Sequence, residues 1–179
     1  MTRDDGWRFL MIGRCVERLQ FLCESVAGFL RSAAAEDQSA LEWLLELGNS
    51  SITYRTRYLA SPQLIPVLDL LLLDEQNPHA VLFQLRTLLR FLQRLGERFE
   101  LPDDVQLLRL ERQLSGFNLG SLENPLFGAA GPGPGSVQAV LEGLASLLEA
   151  IAQAASEVSE RLGLRFFVHV DASQRTQSS

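Results

Sequence analysis

The chain has 179 residues, with 16 basic and 22 acidic side chains, a formal net charge of −6 and 46% hydrophobic residues. This is the composition of one globular domain, and its acidic balance disfavours a general nucleic-acid binder, which needs a basic face. All 16 basic residues are Arg, which excludes lysine Schiff-base chemistry, a lysine general base and the phosphate-gripping Lys of a P-loop.

Uninterrupted apolar runs fall far short of the ~18 residues of a membrane span. The polar opening Met1-Thr2-Arg3-Asp4-Asp5 does not read as a secretory signal. A cytoplasmic protein with no membrane and no nucleic-acid partner is expected. Thr2 and Asp5 have capping-box spacing, with Asp replacing the usual Glu. Phe9, Ile12, Val16, Leu19, Cys23, Val26 and Leu30 then recur at steps of three and four, which predicts a helix of about seven turns. Trp7, Met11, Cys15, Leu22 and Phe29 widen the stripe, so burial on more than one side is expected, with an end near 32–36.

A second helix is predicted over 39–60, with Leu41, Leu44, Leu45, Leu47, Ile52 and Leu59 as apolar points and a kink at Gly48-Asn49. Ser61-Pro62 stops it and opens a third, over 62–74. Asn77 followed by Pro78 has the pattern of an N-cap with Pro at the first helical position. The helix it opens is expected to reach Leu95, with Val81, Leu82, Leu85, Leu88, Leu89 and Leu92 inward. A shorter helix spans 102–115 and carries Val105, Leu108 and Leu110. Residues 116–136 read as irregular, with Gly131–Gly135 a flexible Gly/Pro loop rather than a nucleotide cradle. Ser136 caps a last helix whose stripe runs from Val137 to Leu162; at 1.5 Å per residue it spans about 40 Å, long enough to pack along the first. Only Phe166–Val170 has strand character. The expected fold is all-α, an antiparallel bundle of five or six helices in a single domain over 1–170, with a disordered tail over 171–179.

Cys15 and Cys23 lie ~12 Å apart on one helix, too far for a disulfide. They read as buried small hydrophobes in a reducing compartment. His79 and His169 are well separated and have no Cys neighbours, so neither a metal site nor a cofactor is expected. His79 is expected to be exposed, and His169 to be a packed tail residue.

Three groups of charged or polar residues stand out. Arg14 and Arg18 share a face of the first helix, Glu17 lies three residues from Arg14, and Arg8 lies near Asp4 and Asp5. They form either a solvated strip or a partly buried Arg/Glu network lining a groove. Tyr54-Arg55-Thr56-Arg57-Tyr58 either grips an anion, Arg supplying charge and Tyr direction, or uses its two Tyr to pack the helix. Asp74 and Glu75 fall near a helix C-terminus, where the dipole disfavours acids, so a compensating Arg from the first or second helix is expected. Asn77 is explained as a cap.

Residues 1–18, with Trp7-Arg8-Phe9-Leu10, Gly13-Arg14 and Glu17-Arg18, resemble the alpha-E domain family. So do Ser51-Ile52-Thr53-Tyr54-Arg55-Thr56-Arg57-Tyr58 and Leu70-Leu71-Leu72-Leu73-Asp74-Glu75-Gln76-Asn77-Pro78. The resemblance implies a helical domain, and a partner in a circularly permuted ATP-grasp protein, fused or encoded alongside, often near transglutaminase-like proteins. The implied setting is bacterial amide or peptide-bond formation. The family pattern after Asn-Pro continues with Arg-Ser, where this chain has His79-Ala80. The opening segment looks like the start of the second half of a full-length domain, so the chain resembles its C-terminal part. Apolar surface left exposed by that reading predicts a two-fold homodimer.

Three functional readings compete. The first is a helical interaction module supporting an ATP-grasp ligase. The second is an enzyme or substrate-binding domain with Arg14, Glu17, Arg18, Tyr54, Arg55, Arg57 and Asp74 around one pocket, Asn77 nearby, Glu17 or Asp74 as acid/base and the Arg side chains on a carboxylate. The third is a structural fragment whose charges serve solubility. No catalytic residue is assigned.

Overall fold

The computed structural model describes residues 3–32, 37–122 and 134–167. Among them are seven α-helices and no strand: α1 Arg3–Arg31, α2 Gln38–Leu47, α3 Ser51–Tyr58, α4 Leu64–Leu68, α5 Val81–Phe99, α6 Val105–Ser115 and α7 Pro134–Phe166. The all-α expectation holds, and the count exceeds six because the predicted second helix is two. Thr2, the loop residues 131–133, Val168–Val170 and the tail lie outside the described residues. The last helix starts at Pro134 rather than after a Ser136 cap, and Phe166 ends it instead of starting a strand.

The bundle is organised on α1 and α7, its most extensive helix pair. They run antiparallel. Arg31, at the C-terminus of α1, donates to both Glu142 and Glu149 of α7, while Phe9 packs on Phe166 at the far end, ring centroids 5.0 Å apart. Each helix contributes apolar side chains at steps of three and four, so one stripe of each is removed from water: Leu19, Cys23 and Val26 on α1, Leu144, Leu148 and Ile151 on α7. By length and composition α7 is apolar enough to cross a membrane; here its stripe packs in the bundle core. α5 covers a second flank of α1, also antiparallel, and α6 lies antiparallel between α5 and α7. That second flank is why α1 is buried on more than one side.

One acid lies inside this frame. Asp5 is fully buried and holds Arg8 at 3.2 Å and Arg98 of α5 at 3.0 Å. A carboxylate taken out of water is tolerated only when so compensated.

The predicted 39–60 helix breaks at Gly48-Asn49-Ser50. Asn49 takes a left-handed backbone, φ 49°, which Asn tolerates because its short amide bonds locally. A Cβ at Gly48 would collide with the Leu71 side chain, so the break sits hard against the core. It also resets the helical phase. Ile52 and Leu59, placed inward by a continuous stripe, stand 83% and 88% exposed. Val105 likewise points out, and the buried side of α6 is Leu107, Leu110 and Leu114.

α4 passes directly into a π-helical turn over Asp69–Leu73. The wider turn inserts three successive leucines, Leu70, Leu71 and Leu72, into the core. Asn77 does not cap the following helix. α5 begins at Val81 with Ala80 in the N-cap position, and Gln84 folds back to donate to the Pro78 carbonyl. Asn77 is buried and points the other way: its amide nitrogen donates to Leu70 O (2.9 Å) and Ser50 Oγ (3.0 Å), and its Oδ1 accepts from His79 N (3.1 Å). It ties the π turn to the α2–α3 break. α5 then runs to Phe99, one turn past Leu95.

Candidate functional site

A groove of about 640 Å³ runs beside α1, bounded by Arg14, Glu17 and Arg18 on one wall and by Asn49, His79, Gln84 and Thr87 on the other. Helical spacing puts Arg14 and Arg18 one turn apart, and the α2–α3 break and the turn before α5 bring Asn49 and His79 opposite them. Arg18 Nη1 donates to His79 Nδ1 at 3.0 Å. Partial burial, and then the Arg18 charge, push the His79 imidazole below its ordinary value. The neutral ring accepts at Nδ1, so its proton sits on Nε2, available as a donor. Among the described residues Arg14 and Glu17 form no ion pair. Cys15 is buried at the groove floor, and burial raises its thiol although Arg18 and Arg90 oppose this. Cys23 is also buried and raised by the same cause. Both thiols are the small core residues the sequence implies.

The predicted set divides. Arg14, Glu17 and Arg18 line this groove. Tyr54 and Arg55 line a smaller cavity of about 250 Å³ beside α2. Tyr54 is buried there, and its hydroxyl donates to Ser61 O (3.3 Å) and accepts from Gln63 N (3.1 Å). It stacks on Tyr58 with centroids 4.7 Å apart. This is a packing role, holding the α3–α4 connection. Arg57 and Asp74 line neither cavity; they pair with each other at 2.6 Å. Asp74 stays below the ordinary carboxylate range because the Gln76 amide and Arg57 outweigh the effect of its burial. Arg57 is the compensating cation expected for that helix end, and Arg86 serves Glu75 in the same way. With Asp74 tied to Arg57 and Asn77 buried in hydrogen bonds, no single pocket gathers all eight candidates.

His79 is the residue that sequence reasoning misses. It is half-buried and hydrogen-bonded rather than exposed and idle. Its partner is 61 positions away, so no local spacing reveals it. A second cleft of about 670 Å³ between α5, α6 and α7, flanked by the Asp104–Arg161 pair, likewise has no signature in the sequence. Among the described residues no three His, Cys, Asp or Glu side chains form a metal-ligand group.

A depressed histidine has a defined linkage sign. The unfolded chain binds the proton first, so the native state loses stability as pH falls below about 6.5 towards the folded value. We expect His79→Gln to lose less stability than the unaltered protein between pH 7.5 and 5.5, measured by urea unfolding at each pH. Parallel curves would show that the ring titrates as in water.

A family model described as a predicted alpha-helical domain with a conserved ER motif matches residues 1–167, nearly the whole chain and every described helix. Uncharacterized proteins of Mycobacterium bovis and Mycobacterium tuberculosis are 35% identical over 91 residues, 49% of this chain and 10% of theirs. The chain thus spans about a tenth of the length of the curated relatives it matches. No solved structure matches it.

Proposed function

The chain belongs to the Alpha-E family, and from that premise we propose that it is a helical interaction module supporting a circularly permuted ATP-grasp ligase that forms amide or peptide bonds. Glu-Arg pairs occur at 17–18, 97–98, 111–112 and 160–161. In the last three, Arg98 is taken by Asp5, Glu111 by Arg86 and Arg161 by Asp104. Glu17-Arg18 is the pair on the groove, and we assign the ER motif to it. The observation that carries the reading is Arg18, held by a neutral ring nitrogen instead of a carboxylate. Its charge is fixed in place and left for an acidic group from outside. A module of this kind needs no phosphate loop of its own, in keeping with a chain without Lys, and working beside an ATP-consuming enzyme puts it in the cytoplasm.

Co-purification with the ATP-grasp protein encoded alongside tests this. Arg18→Ala is expected to weaken association about tenfold or more while circular dichroism stays that of the folded bundle. Full retention of the partner by a folded Arg18→Ala variant, or no association of the unaltered chain, sinks the reading. One observation favours the substrate-binding alternative: Arg14, Arg18 and His79 Nε2 are all donors at one groove, which suits a small carboxylate. In that case Arg18→Ala keeps the ligase and loses the carboxylate ligand.

A further inference from the structure

The solvent side of α1 carries its own pattern. Trp7, Leu10, Arg14, Glu17, Phe21 and Glu24 are all exposed and follow one another at alternating steps of three and four. That is the 3.5-residue seam along which two helices pack. Leu10 and Phe21 are 58% and 50% exposed, large apolar side chains on either side of two charges.

The four central positions are self-complementary when reversed. Taken outward from a point between Cys15 and Val16, Arg14 and Glu17 are equidistant, as are Leu10 and Phe21, and Trp7 and Glu24. We propose that two copies of the chain associate through α1 in antiparallel, two-fold fashion, the axis passing between Cys15 and Val16. Arg14 then meets the partner's Glu17, and Leu10 meets the partner's Phe21, each contact occurring twice as an isologous interface requires. Parallel pairing in register would set Arg14 on the partner's Arg14. The antiparallel seam also gives Arg14 and Glu17 the ion-pair partners they lack among the described residues. Arg18 is turned to His79 and stays outside the seam, whereas Arg14, Glu17 and Phe21 also line the groove, so the partner helix covers part of that wall. The seam rests on α1 alone and is argued without the ligase reading, although it takes up Glu17, which that reading also uses.

Sedimentation velocity over a concentration series tests it. The unaltered protein is expected as a species of twice the 19.9 kDa chain mass. Arg14→Glu, or Glu17→Arg, sets two like-charge contacts in the seam and is expected to raise the dimer Kd about a hundredfold, about tenfold for each. The double variant Arg14→Glu/Glu17→Arg restores opposite charges and should return the Kd to near its original value. A monomer at every concentration overturns the proposal, as does a single reversal without effect or a double variant no better than the singles. Should a reversal unfold the chain, Leu10→Cys/Phe21→Cys decides. These positions lie about 16 Å apart on one helix, beyond disulfide reach, so any bridge joins two chains. The proposed pairing predicts that mild oxidation cross-links the double variant and leaves Leu10→Cys and Phe21→Cys alone without a cross-link, since the two-fold sets each of these away from its own copy. Failure to cross-link overturns the seam.

Discussion

Asn77→Ala is expected to lower the free energy of unfolding by about 3–5 kcal/mol, with a fall in Tm of about 10 °C, as read by urea and thermal denaturation. The side chain is buried and makes three hydrogen bonds, to Leu70 O, Ser50 Oγ and His79 N. Alanine leaves the buried Leu70 carbonyl and the part-buried His79 amide without their partner, at about 1–3 kcal/mol for a buried group and less for the half-buried amide. Ser50 is less affected, because its hydroxyl still donates to Gly48 O. Asn77→Asp separates donor from acceptor. It keeps the oxygen facing His79 N but turns an acceptor onto the Leu70 carbonyl, so it should be destabilising at neutral pH and recover as the acid is protonated. A loss below about 1 kcal/mol for Asn77→Ala would show that the tie between the π turn and the α2–α3 break is dispensable.

Leu148→Ala should cost about 3–4 kcal/mol. Leu148 is fully buried in the middle of α7, on the stripe that faces the core, and truncation leaves a cavity in a packed interior. Ile52→Ala, also removing methylenes from an aliphatic side chain, should change stability by less than about 0.5 kcal/mol, because Ile52 is 83% exposed. Equal losses in the two unfolding curves would mean that α3 is packed quite differently.

That contrast shows where the sequence can be read and where it cannot. The long helices are legible because a 3.6-residue period sustained over many turns arises from little besides an amphipathic helix: α1, α5 and α7 follow their stripes. Ile52 and Leu59 are misplaced when one phase is carried through Gly48-Asn49, where the backbone turns left-handed and starts a new helix. The four leucines at 70–73 fit any helix, so their wide turn has no signature. Asn77-Pro78 matches an N-cap in every local respect, and only the buried Leu70 carbonyl reveals that the amide serves the preceding turn. At the candidate site, Arg14, Glu17 and Arg18 are visible as a shared face of one helix. Their opposite wall is not, since His79, Gln84 and Asn49 arrive from elements whose packing no local pattern encodes. The Arg57–Asp74 pair follows from a helix end that needs a cation; the role of Tyr54 as a clamp follows from a hydroxyl meeting Ser61 and Gln63.

The antiparallel packing of α1 on α7 also governs how the chain comes into being. About a hundred residues separate the end of α1 from the start of α7. At roughly 5–20 residues per second on the ribosome, the greasy side of the first helix waits roughly 5–20 seconds for its main cover. Contacts so distant along the chain close late and slow the search for the native topology. Nascent α1 therefore stays without its most extensive packing partner until α7 has been made.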